Sequence, residues 1–143
     1  MGLLDLASGN SFWRGYNYYE AGKVKTSRQI GELQYEGTVE GSNSSQYDVM
    51  IDLEHPKKSV CTCPHAEGSR RVCKHKVALY FSIFPDEAVK ALKEAEEWEA
   101  EEEKRWEEEC KDIEKYVNSL SKQELREALL WRLIDERERK RWY

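Results

Sequence analysis

No hydrophobic run in this sequence approaches 18 residues, so no segment is expected to cross a membrane. The first residues lack a charged stretch followed by an apolar one, so no secretory signal is expected. Cytoplasmic, reducing surroundings follow as the default. Cysteine is scarce, with four residues in 143, and three of them fall between positions 61 and 73. A disulfide framework there would leave one unpaired. No Cys-x-x-Cys redox motif occurs, and the Cys-x-Cys pair that does occur would make a strained disulfide. Charged residues reach 36% against 39% hydrophobic, which limits the core to a modest one. A chain of this length supports one domain with additions and can bury ~68% of its unfolded surface.

What is present centres on one stretch. Cys61-Thr62-Cys63 is followed after nine residues by Cys73-Lys74-His75. These residue types in this pattern read as a structural zinc site, which four thiolate or imidazole ligands close. In an extended strand, residues two apart share a face, so Cys61 and Cys63 can aim at one ion from a strand end. In a helix, residues two apart diverge by roughly 200°. Cys73 and His75 therefore fit a loop-to-helix junction, with Cys73 at the cap and His75 in the first turn. The positive end of a helix favours thiolate at such a cap. His65, two residues past Cys63, is the rival to His75 as fourth ligand.

The same residues resemble the SWIM zinc finger, a C-x-C…C-x-H module. The resemblance extends upstream to Phe12–Val24 (with Arg14-Gly15, Tyr18 and Gly22-Lys23-Val24), to Val39-Glu40-Gly41-Ser42 and to Tyr47–Ile51. It implies zinc binding and a module that binds DNA or protein, with a helicase-like ATPase as the kind of partner that bacterial members accompany.

Arg70, Arg71, Lys74 and Lys76 ring the motif and are the candidate nucleic-acid-binding residues. Two roles are open to them. They can grip phosphates, each contact steepening the salt dependence by ~0.9 in log-log slope on duplex DNA. Alternatively they balance a site that carries three thiolates against one Zn²⁺. No base-reading element is visible, so any DNA contact would be directed at the backbone. The net charge of -5 is concentrated: residues 86–115 hold fourteen acidic and six basic residues.

Periodicity supplies the fold. Residues 10–22 read as a helix capped by Asn10 or Ser11 and ended by Gly22, with Phe12, Tyr16 and Tyr19 facing a core or, as the minor alternative with Arg14 and Lys23 interleaved, forming a stacking surface for nucleic-acid bases. Residues 24–54 read as β structure: Thr38-Val39 sits in a first strand, and Tyr47, Val49, Ile51 and Leu53 alternate with Asp48, Met50 and Asp52. His55-Pro56 turns the chain, and Ser59–Cys63 is the next strand. An apolar helix follows His75 to Pro85. Residues 86–119 read as one long helix without Gly or Pro. On it, Trp106, Cys110, Ile113, Val117 and Leu120 form a seam at 3-4 spacing, with Cys110 as a small core residue. Ser121-Lys122-Gln123-Glu124 is a capping box that opens a last helix.

The expected architecture is α+β. Residues 1–85 form a small antiparallel sheet with a zinc-capped helix and an N-terminal helix. Residues 86–143 form an acidic long helix and a C-terminal helical hairpin. The expected function is a non-enzymatic module with one structural Zn²⁺ on Cys61, Cys63, Cys73 and His75, presenting a surface to DNA, RNA or protein. The alternative is a protein adaptor whose helical extension docks a partner, with Trp131 and Trp142 as anchors. No other nucleophile-and-base set appears in the sequence.

Overall fold

A computed structural model describes residues 2–143. The chain divides into two compact units, Met1–Lys93 and Glu94–Tyr143. In the first, a 3₁₀ turn (Leu4–Leu6) leads to helix α1 (Gly9–Glu20), strands β1 (Val24–Gly31), β2 (Gln34–Glu40) and β3 (Gln46–Asp52), a second 3₁₀ turn (Pro56–Lys58), strand β4 (Val60–Cys61) and helix α2 (Lys74–Ile83). Helix α3 (Pro85–Ser119) begins in this unit and ends in the second, where helix α4 (Lys122–Arg141) follows.

Helix α1 starts two residues earlier than its sequence suggested. Ser8 is the cap, and its Oγ accepts from the Ser11 amide at 3.1 Å. The helix stops as expected at Gly22, whose φ of +68° only glycine adopts freely. The Lys23 amide donates to the Tyr18 carbonyl and the Gly22 amide to Tyr19, a Schellman closure.

The sheet is a four-stranded antiparallel meander in the order β1-β2-β3-β4. Thr38-Val39 lies in the second strand, not the first. The edge strand β1 is exposed along nearly all its length, so it carries no alternation that would mark it in the sequence. On β3 the alternation holds for Val49 and Ile51, both buried. Asp52 breaks it, being only 3% exposed. Its carboxylate accepts from the His55 amide at 2.7 Å and from Gln34 Nε2 at 3.0 Å, and the His55 bond holds its pKa below the usual range. Burial is tolerated because these lone pairs are filled.

Helix α2 runs through the centre of the first unit. Val77, Ala78, Leu79 and Phe81 are fully buried. Phe81 meets the α1 stripe edge-on, with ring centroids 5.6 Å from Phe12 and 5.9 Å from Tyr16. The aromatic face of α1 is therefore a core face, while Trp13 is 38% exposed. The two helices approach closely at Gly15, which is buried. A Cβ there would lie inside contact distance of Val77 and 2.8 Å from the Lys74 carbonyl oxygen.

In the second unit α3 and α4 form as expected, and both bonds of the Ser121–Glu124 capping box are present. No residue from Glu94 to Tyr143 is buried. Cys110 is exposed, not a core residue. Trp106, Ile113 and Val117 of the same seam are exposed as well.

Candidate metal centre

Each of the four motif residues reaches one point by a different local device. Cys61 ends β4, paired with Val49 of β3. The ladder then loosens: the Thr62 amide donates to Asp48 and the Asp48 amide to Thr62 Oγ1. Strand β4 is thus shorter than the predicted Ser59–Cys63, and Cys63 lies in the turn beyond it. Its carbonyl accepts from Ala66 and Glu67, which folds the connection back at once. Gly68, with φ of +69°, completes the reversal. Val72 forms a parallel bridge to Ala7, which sets the start of α2. Cys73 is the cap of that helix, with extended backbone, and His75 sits in its first turn, as the spacing predicted.

The result is a buried cluster. Cys61, Cys63, Cys73 and His75 are all at most 3% exposed, and their ligand atoms lie within 4.8 Å of one another. His75 turns Nδ1 to the sulfurs, 3.8 Å from Cys61 Sγ and 3.9 Å from Cys73 Sγ. A tetrahedral ion with Zn–S near ~2.3 Å and Zn–N near ~2.0 Å sets its ligands roughly 3.5–3.8 Å apart. His65 is exposed and stands outside the cluster, so His75 is the fourth member.

Three buried thiols this close cannot all ionise without a cation. Cys73 is the one held low, chiefly by the hydrogen bond it accepts from Cys61. Cys61 is pushed up for the same reason, and Cys63 by burial. A divalent ion removes this conflict by deprotonating all three. The set fits one structural zinc ion. All four positions come from the protein, so zinc would act as a cross-link between β4, the turn and α2, with no open position.

The imidazole is enclosed by two tyrosines. Tyr47 lies 4.8 Å from it, centroid to centroid, and Tyr18 meets it edge-on at 5.6 Å. Lys74 Nζ sits 4.5 Å over the Tyr18 ring. His75 Nε2 is buried and has no hydrogen-bond partner among the described residues.

The basic residues named from the sequence do not form one surface. Lys76 is fully buried, and its ammonium donates to the Arg71 carbonyl at 2.6 Å. It is not available to an external phosphate. Burial lowers its pKa, while the thiolates of Cys73, Cys61 and Cys63 oppose that shift. A zinc ion held by three thiolates would carry -1, and a protonated Lys76 would offset that charge. Arg70 and Arg71 are exposed, and Arg70 shares a groove with His55, Lys57 and Lys58. Lys74 borders a different cleft, together with Arg14, which the sequence reading left out of the site. From its place on the aromatic helix Arg14 suggested only a base-stacking alternative, and nothing local tied it to the Cys-Lys-His motif until α1 was placed.

The fold and the cluster define a zinc finger domain of α+β type. Residues 47–84, from β3 to the end of α2, match the family model of the SWIM zinc finger. The match covers this segment and not the rest of the chain. The upstream resemblance over residues 10–46 lies outside the match. Neither the curated proteins nor the solved structures contain a significant match to the chain. Among the described residues no helix is long and apolar enough to cross a membrane.

Proposed function

We propose that the zinc-held first unit binds nucleic acid, DNA in the first instance, and performs no catalysis. One observation carries this reading. On the sheet, cations are matched by carboxylates: Lys23 and Lys25 reach Glu40 at 3.8 and 3.1 Å, and Arg28 pairs with Glu36. Arg14 and Lys74 beside the metal centre, Lys57, Lys58 and Arg70 in a separate groove, and the exposed Arg71 form no ion pair with any described residue. Unpaired cations on a rigid scaffold are what a phosphate backbone requires. The closed ligand set and its need for reduced thiols suit a structural zinc in a reducing, cytoplasmic setting.

The test is anisotropy of a labelled DNA duplex or single strand across a salt series. Binding that weakens linearly in log-log salt supports the reading, and no binding even at low salt refutes it.

A second reading has its own observation. The helices of the second unit expose Trp106, Trp131 and Trp142 at 62, 71 and 83%. Exposed aromatics anchor protein interfaces. In this reading residues 94–143 dock a protein, with the helicase-like ATPase implied by resemblance as the candidate. Truncation after Lys93 would abolish that interaction and leave DNA binding intact.

A further inference from the structure

Beside the metal centre lies a cleft of about 350 Å³. Its rim carries Ser8, Asn10 and Ser11 from the start of α1, then Arg14, His65 and Lys74. None of the residues lining it is acidic, in a chain with 28 acidic residues. Arg14 is exposed and Lys74 half-buried, and neither has a carboxylate partner among the described residues. Lys74 is held in place by the face of Tyr18, so its position costs less entropy than that of a free lysine.

The start of α1 adds to this. Ser8 occupies the Ser11 amide through its Oγ and the Phe12 amide through its carbonyl. The Gly9 and Asn10 amides have no acceptor among the described residues, and they sit at the positive end of a twelve-residue helix.

We propose that this cleft seats a backbone phosphate of a nucleic-acid strand, held by Arg14, Lys74 and the first amides of α1. The proposal rests on the nucleic-acid reading above and gives it a location that the Cys-Lys-His motif alone does not contain. It separates the phosphate seat from Arg70, which belongs to another groove.

The experiment compares zinc-loaded full-length wild type with R14Q/K74Q and with R70Q/R71Q. Each is titrated with a labelled oligonucleotide, single-stranded and duplex, across a salt series. Zinc content and the amide spectrum verify that each variant is folded. R14Q/K74Q is expected to bind about 10-fold more weakly at low salt. Its log-log salt slope should fall by roughly 1.4 on single strands and 1.8 on duplex, two contacts' worth. R70Q/R71Q should stay within about 2-fold of wild type. Loss confined to R70Q/R71Q, or equal in both variants, overturns the cleft as the seat. Wild type that binds neither oligonucleotide overturns the nucleic-acid reading itself. Titration with inorganic phosphate should shift the Gly9 and Asn10 amides and displace the oligonucleotide. Phosphate binding without oligonucleotide binding would make the ligand a free anion and end the nucleic-acid assignment.

Discussion

Replacing Gly15 by alanine tests how tightly the finger is tied to α1. On an isolated helix this change is favourable by about 0.8–1 kcal/mol. Here the added methyl would press on Val77 and on the Lys74 carbonyl, 2.8 Å away. Val77 is fully buried and cannot move aside, and the Lys74 carbonyl is backbone between Cys73 and His75. Overpacking of this kind costs about 1–3 kcal/mol or more. The net is a loss of up to roughly 2 kcal/mol, which lowers the midpoint of a unit of this size by up to about 15 °C. Gly9 in the same helix is the internal control, because a Cβ there meets nothing within 4 Å. The measurement is thermal unfolding of zinc-loaded protein by near-ultraviolet circular dichroism, with zinc release followed by a chromophoric chelator. Gly15→Ala should melt earlier and release zinc faster, and Gly9→Ala should do neither. A Gly15→Ala protein as stable as wild type would show that α1 and α2 are not in contact as described.

Chelation of zinc, or Cys73→Ser, should collapse amide dispersion in residues 2–93, since structural zinc supplies roughly 10–16 kcal/mol in zinc-finger peptides; retained dispersion would refute the cross-link. Zinc affinity should fall on acidification. Cys61 and Cys63 are pushed up, hence protonated before the ion arrives, and two displaced protons weaken binding by about 100-fold per pH unit; competition with a chelator of known affinity at two pH values reads the slope. His75 should bind through Nδ1 with Nε2 protonated, because Nδ1 is the atom facing the sulfurs; long-range ¹H–¹⁵N spectra of the imidazole distinguish the two ring nitrogens. Lys76→Met should lower stability by about 1–3 kcal/mol, leaving the Arg71 carbonyl unpaired and the site's negative charge unopposed; chemical denaturation at constant zinc measures it.

The junction at Cys73 was legible because it obeys a local rule: two ligands two residues apart cannot share a helix interior, so one must be the cap. The capping box at Ser121 was legible for the same reason, since both partners lie within one turn. What failed was set at long range. Lys76 looks in the sequence like its neighbour Lys74, and nothing local distinguishes them. Its burial follows from where the Arg71 carbonyl and the thiolates fall once the finger closes. Ser8, Asn10 and Ser11 are equally good caps by composition, and the structure takes Ser8, two residues before Asn10 and three before Ser11. Strand β1 has no buried face of its own, so it gave no alternation to read. Cys110 sits on a seam with the spacing of a packed helix and yet is exposed, because spacing specifies a face and not what covers it.

The metal centre and the apolar core are one body. Cys61, Cys63 and Cys73 belong to the same buried cluster as Val49, Ile51, Val77, Leu79 and Phe81. A single helix carries His75 in its first turn and Leu79 and Phe81 in the next two. Loss of a ligand therefore removes the anchor of the helix that fills the core, and loss of core packing frees the helix that presents His75. It follows that a ligand substitution which abolishes binding to any partner says nothing about where that partner sits. The informative substitutions are those on side chains with neither role, Arg14, Arg70 and Arg71 above all. They are exposed and outside the core, and their charge can be removed while zinc content reports whether the scaffold has survived.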